Sequence, residues 1–535
     1  MKRAFILTGL LLMPILFFLL RPLSSSEFEI TWDKELIAAK YVYLDSLKAQ
    51  KGTSDRPNIV ILLADDLGIS EVSAYGLDRI QTKNIDAIAK NGVLFTEAYV
   101  TSPICSPSRA SLLTGRYQQR FGYELQPQTR YPKNLLEFLV FKYLMDTDGW
   151  VVSDEKISYP RQEDILKQGL PPSEVTLSEM LKAQGYNTGI IGKWHLGSGD
   201  FALPLNRGFD YQYGFYEAFS MYAYEEDTQV INHHHDWLFS DKYIWGPGRE
   251  GKSALYQNGK EIVEREYLTD KLAKEAVNFV DRNKNEPFFL YVPFSAPHTP
   301  FQAKLDDYKN YEYVEDENKR VYYAMIKSLD DAVGTIMQKL ESESLLENTL
   351  VFFLSDNGGA SYTRATDNYP LKGGKFTNFE GGIRVPFMMH WKGKISEGMT
   401  YTAPISSLDI FATSMAAVDG SINLPKHDGA DLIAFLNDNE GPPPHEALYW
   451  RSGYNFAIRK GQWKLILNRK DQTHRFYNIV EDPSEVRDVY AENRELALQL
   501  ENQLMKWSAT LIQPRWPRIM DWQYLDGEEI VHFAL

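Results

Sequence analysis

Asn58-Ile59-Val60-Ile61-Leu62-Leu63-Ala64-Asp65-Asp66 is the stretch whose reading decides the fold. Its apolar run is unbroken, β-branched at the start, and too short for an ordinary helix. A half-exposed strand alternates polar and apolar side chains; this one does not, so it reads as a strand buried on both faces. Similar runs recur outward from it at Thr188–Gly192, Pro287–Phe294 and Thr349–Leu354. Helical patterns separate them: Ile85–Ala89 with Gly92 as a stop, Leu177–Gln184, Leu268–Asp281 and Val321–Leu340. Alternation of this kind over roughly 350 residues predicts an α/β fold with a large, mostly parallel central sheet flanked by helices.

The pattern changes after about residue 425. Gly441-Pro442-Pro443-Pro444 breaks regular structure. Ala447–Arg451, Phe456–Arg459 and Trp463–Leu467 then read as an antiparallel meander, turned at Lys460-Gly461 and closed by a helix over Asn493–Lys506. The expected division is a signal segment over 1–26, an extension over 27–55 (helical from Trp32 to Ala49), an α/β domain over 56–425 and a small C-terminal α+β subdomain over 426–535 containing an antiparallel sheet.

The chain has 535 residues, 44% hydrophobic and 24% charged, which excludes a disordered or fibrous protein. Its 57 basic and 72 acidic residues give a net charge of −15, which disfavours nucleic-acid and anionic-membrane partners. Aromatic content is 13%, a composition that suits sugar-binding surfaces as well as cores. Lys2 and Arg3 precede an apolar run from Ala4 to Leu20, and Ser24-Ser25-Ser26 follows. This reads as an export signal cleaved near Ser26; the alternative is an uncleaved anchor. With a single cysteine and no Asn-x-Ser/Thr sequon, the expected location is a bacterial periplasm or the medium.

The chemistry collects at strand ends. Asp65-Asp66 closes the first strand, and Ser355-Asp356-Asn357-Gly358-Gly359 closes another. Ligands of open α/β sheets gather at this carboxyl edge, and carboxylates with an amide oxygen suit a hard cation. Each pair alone also fits a helix cap or a solvated turn. In Cys105-Ser106-Pro107-Ser108-Arg109, Ser106 suits an N-cap and Pro107 the first helical position. Cys105 would then sit at the positive end of a helix near Arg109, where its thiol pKa should fall. Lys193 and His195, two apart, would point the same way if extended. His298 lies beyond a further strand. Lys372-Gly373-Gly374-Lys375 and Glu380-Gly381-Gly382-Ile383-Arg384 form a glycine-rich basic segment that could cradle an oxyanion. His233-His234-His235 is a candidate sugar contact or a solvated loop.

Taken together, these motifs resemble the type I, formylglycine-dependent sulfatase family of the alkaline-phosphatase-like superfamily. Cys105-x-Pro107-x-Arg109 with Leu113-Thr114-Gly115 matches its maturation signature. The Asp-Asp turn, Gly-Lys-x-His, Pro-His-x-Pro, Asp-Asn-Gly-Gly and Glu-Gly-Gly-x-Arg follow in the family's order over about residues 56–390. The resemblance implies that a maturation enzyme oxidises Cys105 to formylglycine, whose hydrate is the nucleophile. It implies one Ca²⁺ on Asp65, Asp66, residue 105, Asp356 and Asn357. It places Arg109 and Lys193 beside the nucleophile, and Lys375 and His298 on the sulfate and leaving oxygen. His195 is the expected base for the hydrate. The expected substrate is a sulfated carbohydrate such as the algal polysaccharide carrageenan. Three rivals stay open: a phosphonate or phosphate ester hydrolase of the same superfamily, a non-catalytic glycan binder, and a hydrolase using Cys105 as an ordinary thiol.

Overall fold

A computed structural model of the chain describes residues 13–48, 56–77, 79–145, 149–153, 157–236, 241–419, 423–436, 442–526 and 529–535. The strand Asn58–Ala64 is buried along its whole length. Its alternate side chains feed two cores. Val60, Leu62 and Ala64 pack with helices Lys83–Lys90, Leu268–Asn283 and Glu317–Ser342. Ile59, Ile61 and Leu63 pack with Lys34–Lys48, Cys105–Thr114, Leu177–Ala183 and Asp409–Asp419. Two apolar layers on one strand are the reason its sequence lacks alternation.

The central sheet has ten strands, in spatial order those beginning at residues 399, 93, 387, 349, 58, 288, 187, 211, 255 and 260. The middle five run parallel, antiparallel partners flank them on both sides, and the outermost strand Met399–Tyr401 pairs parallel with Val93–Phe95. Register sets up the site. Ala64 lies opposite Ser355, and Leu63 opposite Pro293, so the acidic turns and the His298 loop leave the sheet side by side. Strand Asn187–Lys193 enters the same edge. Gly192 there has φ +136°, and a Cβ would lie 1.9 Å from the Pro293 carbonyl oxygen, so only glycine permits this approach.

Beyond the sheet, the expected meander carries a fourth strand, giving Leu448–Ser452, Asn455–Lys460, Trp463–Asn468 and Thr473–Asn478. Helix Arg494–Ser508 packs on it through Ala497, Leu500 and Leu504. The last two strands, Met520–Asp526 and Glu529–Ala534, form a hairpin that pairs with Trp150–Val152, so the end of the chain returns to the first half.

Residues 1–12 of the expected export signal lie outside the described residues, as does Gly441 of the Gly-Pro break. No described helix is long and apolar enough to cross a membrane. Pro22 and Ser24 are bridged to Asn134 and Tyr159. Leu23 is buried among Tyr131, Phe138 and Tyr159.

Candidate active site

Ten side chains predicted from sequence meet at the carboxyl edge: Asp65, Asp66, Cys105, Arg109, Lys193, His195, His298, Asp356, Asn357 and Lys375, all buried. Cys105 opens the helix Cys105–Thr114, two residues earlier than the capping pattern predicts. Ser106 does not cap it. Its hydroxyl donates to the His195 carbonyl at 2.6 Å and meets the Tyr123 hydroxyl at 2.7 Å, so tertiary partners outbid the local cap. Cys105 Sγ lies 3.4 Å from Asp65 Oδ1 and 3.7 Å from Asp66 Oδ1.

Here the expectation of an acidic thiol is overturned. Burial first, and then the Asp356 charge, push the Cys105 thiol well above its ordinary range. The helix terminus does not compensate when carboxylates face the sulfur.

The cations are interleaved with the acids. Lys193 Nζ donates to Asp65 Oδ2 at 2.6 Å, and Lys375 Nζ to Asp66 Oδ2 at 2.9 Å. Arg109 is one helical turn from Cys105. Its Nε and Nη2 lie 2.8 and 2.7 Å from Asp356 Oδ2, and its Nη1 donates to the Lys193 carbonyl at 2.9 Å. Arg109 therefore ties two strand ends together. Burial works against the Asp65 carboxylate, yet Lys193, His298 and Arg109 hold it below the usual range. Asp356 is pushed up to about 7 by burial and by the charge of Asp65. Lys375 is held well above its ordinary value because Asp66 and its acidic neighbours outweigh its burial.

His195 has φ 59°, so the segment after Lys193 is left-handed rather than extended. Its N–H donates to the Tyr216 carbonyl at 3.0 Å, and its Nδ1 is buried with no hydrogen-bond partner. Burial and the Lys193 charge hold it neutral. His298 Nδ1 lies 2.6 Å from the Thr299 carbonyl, which makes Nδ1 the protonated nitrogen and leaves Nε2 facing Asp66 Oδ2 at 3.7 Å. Burial, with Lys375, lowers His298 to about 4. The carbonyls of Tyr216 and Thr299 that orient the two histidines escape sequence reading, because a carbonyl carries no residue-type signal.

The donor set fits a hard cation. Single ligand atoms of Asp65, Asp66, Cys105 and His298 lie within 4.8 Å of one another. Asn357 donates its amide nitrogen to Asp66 Oδ1 at 2.7 Å, while its Oδ1 is buried with no partner. A buried, unpaired amide oxygen beside two carboxylates is what a divalent ion satisfies. Asp356 Oδ1 is 3.3 Å from the Asp66 N–H, so both acidic turns share one locus.

Other sequence candidates are placed elsewhere. The Gly381-Gly382 pair does not cradle an anion: a Cβ at Gly358 would lie 1.8 Å from the Gly381 carbonyl oxygen, so the two motifs are pressed backbone to backbone. Glu380 faces away into a buried cluster with Lys464, Glu485 and Tyr99. Lys372 pairs with Asp526 at 2.7 Å, leaving Lys375 as the loop's contribution. The histidine triplet is not a solvated loop. His233 ends a strand, His234 stacks on Trp245, and buried His235 bonds Asp241 and Asn318. An apolar cleft of about 700 Å³ behind Trp150, lined by Tyr131, Val140 and Leu535, contains none of the ten groups.

Residues 57–421 match the family described as Sulfatase, and residues 374–510 match N-sulphoglucosamine sulphohydrolase, C-terminal. An arylsulfatase of Hemicentrotus pulcherrimus is 32% identical over 76% of this chain and 67% of its own length. The N-acetylgalactosamine-6-sulfatase of Rattus norvegicus is 32% identical over 78% of this chain and 72% of its own. The crystal structure of Ps i-CgsB is 34% identical, covers 86% of this chain and 94% of that one, and superposes with a TM-score of 0.71. The same protein is solved in complex with k-i-k-neocarrahexaose.

Proposed function

From the premise that the chain belongs to the sulfatase family, and is thus a sulfuric ester hydrolase, we propose that it desulfates a carrageenan-type sulfated carbohydrate at the Cys105 cluster. One observation carries the reading: a single cysteine at a helix start, within 3.4 Å of the paired acidic turn and ringed by Arg109, Lys193 and Lys375. The carbohydrate is supported by the neighbour that binds k-i-k-neocarrahexaose.

Cys105 is the residue for conversion to formylglycine by a maturation enzyme, and Asp65, Asp66, Asp356, Asn357 and residue 105 are the ligands for one Ca²⁺. Together these groups would supply an oxygen nucleophile and positive charge against the ester oxygens. The three carboxylates and three cations of the cluster already balance. A divalent ion therefore leaves the site positive, which suits a sulfate ester whose charge lies on peripheral oxygens. Lys193 and Lys375 aim ammonium groups into the cluster. Arg109 keeps Asp356 and the Lys193 strand end in position. His195, neutral and with an unpaired Nδ1, is the acceptor for the nucleophile's proton. Lys375 carries the proton for the departing alcohol at neutral pH, and neutral His298 orients it.

The thiol rival is disfavoured by geometry. The Sγ contacts to Asp65 and Asp66 are to carboxylate oxygens, which repel a thiolate, and among the described residues His195 makes no hydrogen bond to it. We also propose export to the periplasm or medium. The bridged segment 22–25 favours any cleavage falling ahead of Pro22 rather than near Ser26.

Two measurements test the whole reading. Sulfate release from p-nitrophenyl sulfate and from k-i-k-neocarrahexaose is expected, with the sulfate rate exceeding that on a matched phosphonate ester. Intact mass of the Cys105 peptide from active protein is expected to show the aldehyde; only thiol in fully active protein overturns the mechanism.

A further inference from the structure

The cluster has one wall that the proposed chemistry does not use. Phe376 follows Lys375, and the Lys375 ammonium lies 5.3 Å over its ring. Tyr362 stacks on Phe376 with ring centroids 5.3 Å apart and planes 20° from parallel. Trp522, in the C-terminal hairpin, lies 5.4 Å from Tyr362. Trp150, its cross-strand partner, lies 5.2 Å from both Trp522 and Phe376. Ile104, next to the nucleophile, packs into the same group.

Phe376 is buried, but Tyr362, Trp150 and Trp522 keep part of their surface exposed. Tyr362 is close enough to the reacting groups that the charges of Lys375, Asp66 and Cys105 act on its phenol. Among the described residues neither its hydroxyl nor the Trp522 indole N–H has a hydrogen-bond partner, although their rings are packed. Neither tip is a buried unsatisfied atom, so both open to solvent, and a packed ring with a solvent-facing polar tip is an ordinary arrangement at a ligand surface.

We propose that Tyr362, Trp522 and Trp150 form the sugar-positioning wall of the site, against which the pyranose bearing the sulfate packs its C–H face. The Tyr362 hydroxyl then donates to a ring oxygen or hydroxyl. The occupant is a carbohydrate for two reasons. The wall is continuous with Lys375, where the ester oxygen must lie. It also offers aromatic faces with neutral donors and no cation of its own, which suits the uncharged part of a sulfated sugar. The wall draws on three distant segments, so a loop, an early strand and the chain's last hairpin jointly set specificity. This inference rests on the sulfatase reading and adds the surface that selects its substrate.

The test is steady-state kinetics on full-length protein with k-i-k-neocarrahexaose and p-nitrophenyl sulfate, comparing Tyr362→Phe, Tyr362→Ala and Trp522→Ala. Losing one neutral hydrogen bond should raise KM for the hexasaccharide about 5-fold in Tyr362→Phe, with kcat nearly kept. Tyr362→Ala and Trp522→Ala should raise it on the order of tenfold or more. Trp463→Ala, at a stacked pair in the C-terminal meander, controls for general loss of an aromatic ring and should leave KM unchanged. Parental KM in all three wall variants overturns the wall, as does an equal KM rise in Trp463→Ala. A parent that hydrolyses p-nitrophenyl sulfate but neither binds nor desulfates the hexasaccharide also overturns it while leaving the sulfatase reading intact. A parent inactive on every sulfate ester overturns that reading itself.

Discussion

Two of the buried ionic clusters among the described residues differ in a way that separates a reacting site from a structural joint. In the first, Asp65, Asp66 and Asp356 face Arg109, Lys193 and Lys375, yet Asn357 Oδ1 and His195 Nδ1 stay unpaired. In the second, Glu380 and Glu485 enclose Lys464, whose Nζ lies 2.8 and 2.9 Å from them. Tyr99 closes the other Glu380 oxygen at 2.8 Å, and the Glu380 N–H donates to Glu485 at 2.6 Å. The second cluster ties the loop after Lys375 to the C-terminal meander. Both clusters carry the desolvation cost of buried charge. Glu485 Oε1 makes no hydrogen bond either, but the Lys464 ammonium faces it at 2.9 Å, whereas Asn357 Oδ1 and His195 Nδ1 have no such partner.

The sharpest break between them would come from Cys105→Ala. Turnover should fall by at least about 10⁴-fold while the thermal midpoint stays within ~2 °C, because only a small buried group is lost. Substantial residual activity in sulfate-release assays would remove Cys105 from the reacting centre. Next, Lys375→Ala and His298→Ala should each lower kcat/KM by about 10²–10⁴-fold. The Lys375 loss should grow as the leaving alcohol becomes more basic. Equal sensitivity to aryl and sugar esters in Lys375→Ala would shift the acid role to His298.

Lys464→Met acts on the other side of the comparison. Leaving Glu380 and Glu485 unpaired should destabilise by about 3–5 kcal/mol, read by denaturant unfolding, while KM of the folded fraction is kept. A large KM change at unchanged stability would mean the second cluster serves the site directly. Chelation with EGTA should lower activity several-fold and the thermal midpoint by a few degrees, both restored by Ca²⁺. An unaltered apo protein would exclude the cation.

The smallest effect is on pH dependence. Burial, against Lys464 but with the Glu380 charge, raises Glu485 from 4.5 to about 7. An acid with a raised folded pKa binds more protons folded than unfolded, so stability should rise as pH falls from about 7 to 4.5. Glu485→Gln should flatten that slope by ~2–4 °C in thermal midpoint. An unchanged slope would show that Glu485 titrates normally.

Strong local patterns carried much of this structure. The unbroken run 58–64, the long amphipathic helices and the strand-end acids all land where their residues predict. The short, weakly patterned pieces did not declare themselves. The fourth meander strand, Thr473–Asn478, is largely polar, and the Trp150–Val152 strand has three residues. The helix terminus beside Cys105 is visible in sequence, whereas the carboxylates that face its thiol are not.

By itself, then, the sequence determined the layered α/β core and which chemical groups the protein owns, since burial on two faces and helical period are local properties of residue order. Tertiary structure alone decided which groups meet. The parallel register aligned four strand ends, left Asn357 Oδ1 idle, turned Glu380 away from the site and brought Trp522 back beside Lys375. Those outcomes depend on contacts between residues far apart in the chain, and no local pattern encodes the distance between them.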